Sequence, residues 1–195
     1  MDNKNQTLTR FSLGNESIKS TIFWKKIFIY FWVFSIVGHF IEIIWAQVNH
    51  IIFGYPIWKP IIYTFTPVAA PYGFGAIAVI LFVWPLLKRH NLNLLGVFFL
   101  SVLVTTITEY LCALVVVLFV GHNYFWSYSD QFLNINGYVC LEASLLFGIS
   151  ATIFLYYIYP FCEKIISRFS PKQFNRTFWF LFISYGADLV YAWTK

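Results

Sequence analysis

Five stretches of this chain, at about 27–48, 73–87, 93–120, 138–160 and 177–193, carry long apolar runs with almost no charge. Runs of this length and apolarity read as membrane-crossing helices. Hydrocarbon offers the backbone no water, so each run must satisfy its own N–H and C=O groups, which only a helix does. An all-α integral membrane protein of about five transmembrane helices follows. Composition agrees: 11% of the residues are charged, against about 25% in a soluble domain. The second run is short and contains Pro85, so a kink or tilt is expected there.

The remaining segments set the organisation. Residues 1–21 (MDNKNQTLTRFSLGNESIKST) are polar without apolar periodicity, which predicts a cytoplasmic tail. Residues 22–195 then form a single transmembrane domain. No early apolar region resembles a cleavable signal peptide, so the first run is expected to anchor and target the chain. Segment 49–72 holds Pro56, Pro60, Pro67 and Pro71 and cannot be one regular helix. It is also too apolar for a free loop, which predicts a Pro-rich re-entrant or interfacial hairpin between the first two spans. Reading it as a sixth span breaks the charge pattern described next.

Lys and Arg cluster on one side of the spans. Five stand before the first run (Lys4, Arg10, Lys19, Lys25, Lys26), two in the 88–92 turn (Lys88, Arg89) and four in 161–176 (Lys164, Arg168, Lys172, Arg176). Only Lys59 and Lys195 fall opposite. This asymmetry predicts a multi-pass membrane protein with its N-terminus in the cytoplasm and its C-terminus outside. It also explains the net charge of +5 without nucleic acid, which is not an expected partner. Cys112, Cys140 and Cys162 show no metal-ligand spacing and no disulfide framework.

Half of the chain's eight acids, Glu42, Glu109, Glu142 and Asp188, lie inside the apolar runs, with no Lys or Arg in the same runs. A carboxylate in hydrocarbon needs a proton, a partner or a ligand. At 100° per residue, Ser35, Gly38, His39, Glu42, Ala46 and Asn49 share one face of the first span. Ser101, Thr105, Thr108, Glu109 and Cys112 form a stripe on the third, and Thr177, Ser184, Asp188 and Tyr191 one on the fifth. Glu42 and Glu109 sit about 22 Å from their cytoplasmic ends and Asp188 about 16 Å, so the three are expected in one layer. Glu142 points away from the small face of its span (Cys140, Ser144, Gly148, Ala151) and reads as a snorkelling carboxylate of lower rank. His39 can meet Glu42 across one turn as a proton partner. A lone His-x-x-Glu is not a metal site, and no cofactor is expected. Trp45, a turn beyond Glu42, reads as an interface anchor or the wall of a cation site. The plain alternative for the three acids is bracing: carboxyls that join helices through Ser, Thr or Tyr hydroxyls.

Several motifs come together in order: Gly38-x-x-x-Glu42, Pro67-x-x-x-Pro71-Tyr72-Gly73-Phe74-Gly75, Glu109-Tyr110, Trp126-x-Tyr128-Ser129, and Asn134-Ile135-Asn136-Gly137-Tyr138-Val139-Cys140-Leu141. Over roughly residues 30–160, with a weaker echo at Asp188, the chain resembles the small bacterial membrane proteins called Putative ABC-transporter type IV. Departures stand at Ser127, Tyr138 and Ala70, where the family pattern has an acid, a basic residue and a proline. The resemblance implies a permease-like subunit of an ABC system. No GxxxxGK[ST] occurs in the chain, so an ATPase would have to be a separate partner.

These readings converge on the membrane subunit of a transport system, binding a polar or cationic small molecule in a carboxylate-lined, outward-facing cavity. Glu42, Glu109 and Asp188 are expected as its floor with His39 as proton partner. Trp126, Tyr128, Asn134 and Asn136, with Pro67, Tyr72, Gly73 and Gly75, are expected at an outer mouth or lid, and Tyr110 is a secondary candidate. No catalytic arrangement is readable and the chain is not expected to be an enzyme. Its partners are the lipid bilayer, an ATPase subunit and a second copy in a homo-oligomer. The rival classes are an intramembrane enzyme acting on a lipid or polyprenyl headgroup, and a non-catalytic membrane partner or sensor.

Overall fold

The computed structural model describes residues 20–54, 66–123 and 125–194. The tail 1–19, and the stretch 55–65 that holds most of the expected hairpin, lie outside the described residues. The helices are α1 (Thr21–Phe53), α2 (Ala70–Ala78), α3 (Trp84–His90), α4 (Leu94–Val120), α5 (Leu141–Ile153), α6 (Tyr159–Ile166) and α7 (Pro171–Trp193). Two five-residue π-helical segments, Val79–Val83 and Phe154–Ile158, join α2 to α3 and α5 to α6. Among the described residues there is no strand, only an isolated bridge between Ile135 and Val139.

Four helical runs are long and apolar enough to cross a membrane: Thr21–Ile52, Ala70–His90, Leu94–Val120 and Leu141–Ile166. The chain is a membrane protein. Helix α7, expected as a fifth span, is long enough but not apolar enough to join them. Its tryptophans and tyrosines, with Asp188 and two basic residues in its first turns, dilute its apolar character.

Local sequence explains the helix ends. Ser20, Asn93 and Ser170 cap their helices through side-chain oxygens, and Ser170 forms a full capping box with Gln173. Gly54 and Gly121 end α1 and α4 with φ of 68° and 88°, a conformation that costs glycine little. The π segments answer the prolines. Trp84 N–H bonds to Val79 C=O, and Tyr159 N–H to Phe154 C=O, immediately before Pro85 and Pro160. A proline ring clashes with the carbonyl four residues back in an α-helix, and the wider i→i−5 turn relieves that clash without breaking the helix. The expected disturbance at Pro85 takes this form.

Burial is inverted relative to a soluble bundle. On α4 the buried positions are Val97, Ser101, Thr105, Glu109 and Ala113, while Leu95, Phe99, Leu103, Ile107 and Leu111 are exposed. The greasy face meets lipid and the polar stripe turns inward. Helix α4 packs on α2 and α5, and α1 packs on α2 and α7. The hydrophobic core gathers around Tyr30, Val79, Val83, Leu155, Tyr159 and Phe174, near the end where α1 begins. Phe28 joins α7 to α1 through Phe178, Phe182 and Tyr185, with centroids 5.5–5.7 Å apart.

A buried ion pair closes that end. Lys26 Nζ lies 2.7 Å from Glu163 Oε2, with both side chains about 95% buried, and the Tyr30 hydroxyl donates to Glu163 Oε1 at 2.5 Å. Removing one partner strands a buried charge, at a cost of about 3–5 kcal/mol, whereas replacing both with apolar residues of similar volume is close to neutral. Lys26→Met alone should therefore lower stability in detergent markedly, and Lys26→Met with Glu163→Met should recover most of it. A double variant no more stable than the single one would show that the pair does not hold α1 to α6.

Candidate functional site

Two glycines bring α1 and α2 together. A Cβ on Gly38 would collide with the Tyr72 ring, and a Cβ on Gly73 with Ser35 Oγ and the Phe31 carbonyl. Small residues let helix backbones approach in lipid, where packing rather than hydrophobicity drives association. The non-helical residues leading into α2 are stitched to the same place, with Ala69 N–H donating to the Ser35 carbonyl at 2.9 Å. Ser35 is about 21 Å along α1, so the irregular backbone entering α2 lies against the middle of that helix.

This packing leaves a cavity of about 180 Å³ between α1, α2, α4 and α5. Its wall is largely apolar, including Val37, Val79, Phe147 and Phe154, and Gly75 contributes no side chain to fill it. Tyr72, Thr105, Glu109 and Ser150 supply the polar groups. Glu109 is 7% exposed. Its Oε1 accepts from the Tyr128 hydroxyl at 3.0 Å, while its Oε2 is buried with no hydrogen-bond partner.

Tyr128 arrives from the loop between α4 and α5, which is held by its own hydrogen bonds. Trp126 Nε1 donates to the Tyr138 carbonyl at 2.9 Å. Asn134 Nδ2 donates to the carbonyls of Ser129 and Gln131, and its Oδ1 accepts from Gly137 N–H. Asn136 Nδ2 donates to the Tyr110 hydroxyl at 2.8 Å. Gly137 has φ of 71°, and a Cβ there would press on Ser129 Oγ at 2.6 Å. Burial, then the Glu109 carboxylate, holds the Tyr128 phenol well above its ordinary pKa, so the hydroxyl remains a donor at physiological pH.

The expected site residues divide accordingly. Tyr72, Gly75 and Glu109 line the cavity, and Tyr128 reaches it through Glu109. Trp126, Asn134, Asn136 and Tyr110 instead brace the loop, and Gly73 packs α2 on α1. Glu42 and Asp188 are absent from the lining, so the three acids do not share one floor. Glu42 is half-buried. Asp188 is 2% exposed, and its Oδ1 accepts from Thr66 N–H at 2.9 Å. It ties α7 to the segment before α2, where Pro67 also lies. His39 is 4% exposed, yet among the described residues no hydrogen bond joins it to Glu42. Trp45 is exposed on α1. Glu142 is exposed in the first turn of α5, where the helix dipole favours a carboxylate. No group of three or more His, Cys, Asp or Glu able to hold a metal ion occurs among the described residues.

Sequence reasoning missed the Lys26–Tyr30–Glu163 cluster, because Lys26 reads as one more charge of the basic flank. The one local signal is the four-residue spacing of Lys26 and Tyr30, which places both on one face of α1.

The hydrogen bonds predict how the acids differ. Asp188→Asn keeps an oxygen for Thr66 N–H and should leave stability nearly unchanged, whereas Asp188→Leu should cost about 1–3 kcal/mol by orphaning that amide. Equal losses for both, read from unfolding in detergent, would remove the bracing role.

No curated protein and no solved structure matches the chain. A family model described as Putative ABC-transporter type IV matches residues 29–193, further toward the C-terminus than the quoted motifs reach. Gly38, Tyr72, Glu109, Tyr128 and Asn134, which carry the resemblance, build the cavity or the loop beside it. The chain belongs to the Putative ABC-transporter type IV family.

Proposed function

We propose that this protein is the membrane subunit of a transport system whose energy comes from a separate ATPase chain, and that cargo binds in the cavity beside Glu109. One observation carries this reading. Glu109, one of whose carboxylate oxygens is buried without a partner, is a wall residue of the cavity. A buried acceptor left unmade costs about 1–3 kcal/mol or more, a cost that an arriving donor on the cargo removes.

The basic flanks put the start of α1 in the cytoplasm, so the cavity lies toward the outer half of a bacterial inner membrane with the 121–140 loop above it. In this frame α7 is the fifth crossing, with Asp188 Oδ1 held by the Thr66 amide. Glu109, Tyr72 and Tyr128 form the polar end of the site. His39 and Asp188 support the fold around it.

Affinity purification of the tagged chain from its native membrane in mild detergent should recover an ATPase chain. Glu109→Gln should retain that partner while transport-linked ATP hydrolysis falls about tenfold or more, the loss expected for a charge-assisted hydrogen bond. Recovery of a monodisperse protein with no ATPase would overturn the reading.

A further inference from the structure

The shape of the cavity specifies what enters it. Glu109 and Tyr72 stand at its end nearer the 121–140 loop, while Val79, Phe154 and Ile158 line the far end. Along α2 and α5 the lining runs from Pro71 to Val79 and from Phe147 to Ile158, about 12–16 Å of helix. The site is therefore a narrow, largely apolar slot with its one carboxylate at one end. A volume of about 180 Å³ is close to the ~150 Å³ of a cavity that accepts a benzene-sized ligand, so it admits one slender chain and no bulky polar solute.

The slot also opens sideways. Val37 and Ile41 on α1, with Ser150 and Ile158 near α5, line the cavity and are exposed on the outer surface of the bundle. They lie within helical runs apolar enough to sit in a membrane, so the opening between α1 and α5 faces hydrocarbon rather than water. The inner side of this gap is closed where Phe34 meets Phe154, with centroids 4.8 Å apart, and its loop side where Tyr72 meets Phe147 at 5.7 Å. At the polar end, Glu109 is 7% exposed, and its Oε2 is buried without a donor.

We infer that the ligand is a single-chain amphiphile with an ammonium head, taken laterally from the bilayer. Its head donates to the Glu109 carboxylate, and its chain lies along Val79 and Phe154 toward Ile158. Polar end toward the loop and apolar end toward the middle of the bundle is the orientation of a lipid in the leaflet on the loop side. An anionic head would meet the Glu109 carboxylate with no compensating cation in the cavity wall, and a compact hydrophilic solute would leave the apolar slot unfilled. This inference rests on the cavity being the cargo site.

The test uses the full chain in nanodiscs of zwitterionic phosphatidylcholine and an octylamine carrying a photoreactive diazirine at its chain end. Labelling should saturate and map to Val79, Phe154 or Ile158. Octylamine should compete at least about tenfold better than octanol or octyl sulfate. Glu109→Gln should weaken labelling about tenfold, and Ser150→Trp, at the exposed mouth, should block it in a protein that remains monodisperse and helical. Labels spread over the lipid face of α4, at Phe99 or Leu103, would overturn the inference, as would competition independent of head charge or undiminished labelling of Glu109→Gln. The two readings separate cleanly. An ATPase recovered without specific labelling rejects the amphiphile and keeps the transport subunit, whereas specific labelling without any ATPase does the reverse.

Discussion

Within hydrocarbon no water completes an unfinished hydrogen bond, so every buried polar group of this protein must find its partner in the chain. Most do. Lys26 and Tyr30 share the two oxygens of Glu163, and Asp188 holds the Thr66 amide. Ser35, Thr105, Thr108 and Thr152 return their hydroxyls to carbonyls one turn back. Against that background a few side-chain atoms stand unsatisfied among the described residues: Ser101 Oγ, Thr106 Oγ1, Asn123 Nδ2, Asp188 Oδ2 and Glu109 Oε2. Of these five residues, Glu109 is the one in the cavity wall.

Two rigid devices keep that wall in place. On one side Gly38 and Gly73 let α1 and α2 interlock, which sets the Tyr72 ring against the cavity. On the other, the self-bonded loop delivers Tyr128 to the second oxygen of the same carboxylate. Loosening either device moves a hydrogen-bond partner of Glu109 or the wall next to it. The motif residues of the family thus divide between those that shape the slot and those that hold its neighbours still.

The sequence was a good guide wherever periodicity decided the outcome. The Ser101–Thr105–Glu109 stripe could be read from spacing alone, as could the outward direction of Glu142, because α4 and α5 are regular at those positions. Facing direction did not reveal which acids would meet. The helix that carries Glu42, α1, packs on both α2 and α7, which sets Asp188 on α7 apart from Glu109 on α4. Asp188 is explained by an amide from the irregular stretch before α2, which no helical wheel displays. The Lys26–Glu163 pair was hidden because its partners are 137 residues apart and both sit among flanking charges that normally face water. The loop's bracing by Asn134 and Trp126 was likewise invisible, since such aromatic and amide residues are equally at home at a membrane interface.

The paired π segments carry a consequence for how this fold can vary. Each holds an extra residue relative to an ideal helix, and the tryptophan and tyrosine that follow, Trp84 and Tyr159, meet edge to face at 4.9 Å. Deleting one residue from either segment would restore α-helical winding, and the proline that follows would then meet the carbonyl four residues back. The wide turn and its proline are therefore a matched pair in each helix: loss of the extra residue is tolerable only together with replacement of Pro85 or Pro160, so these two changes should travel together as the fold diverges.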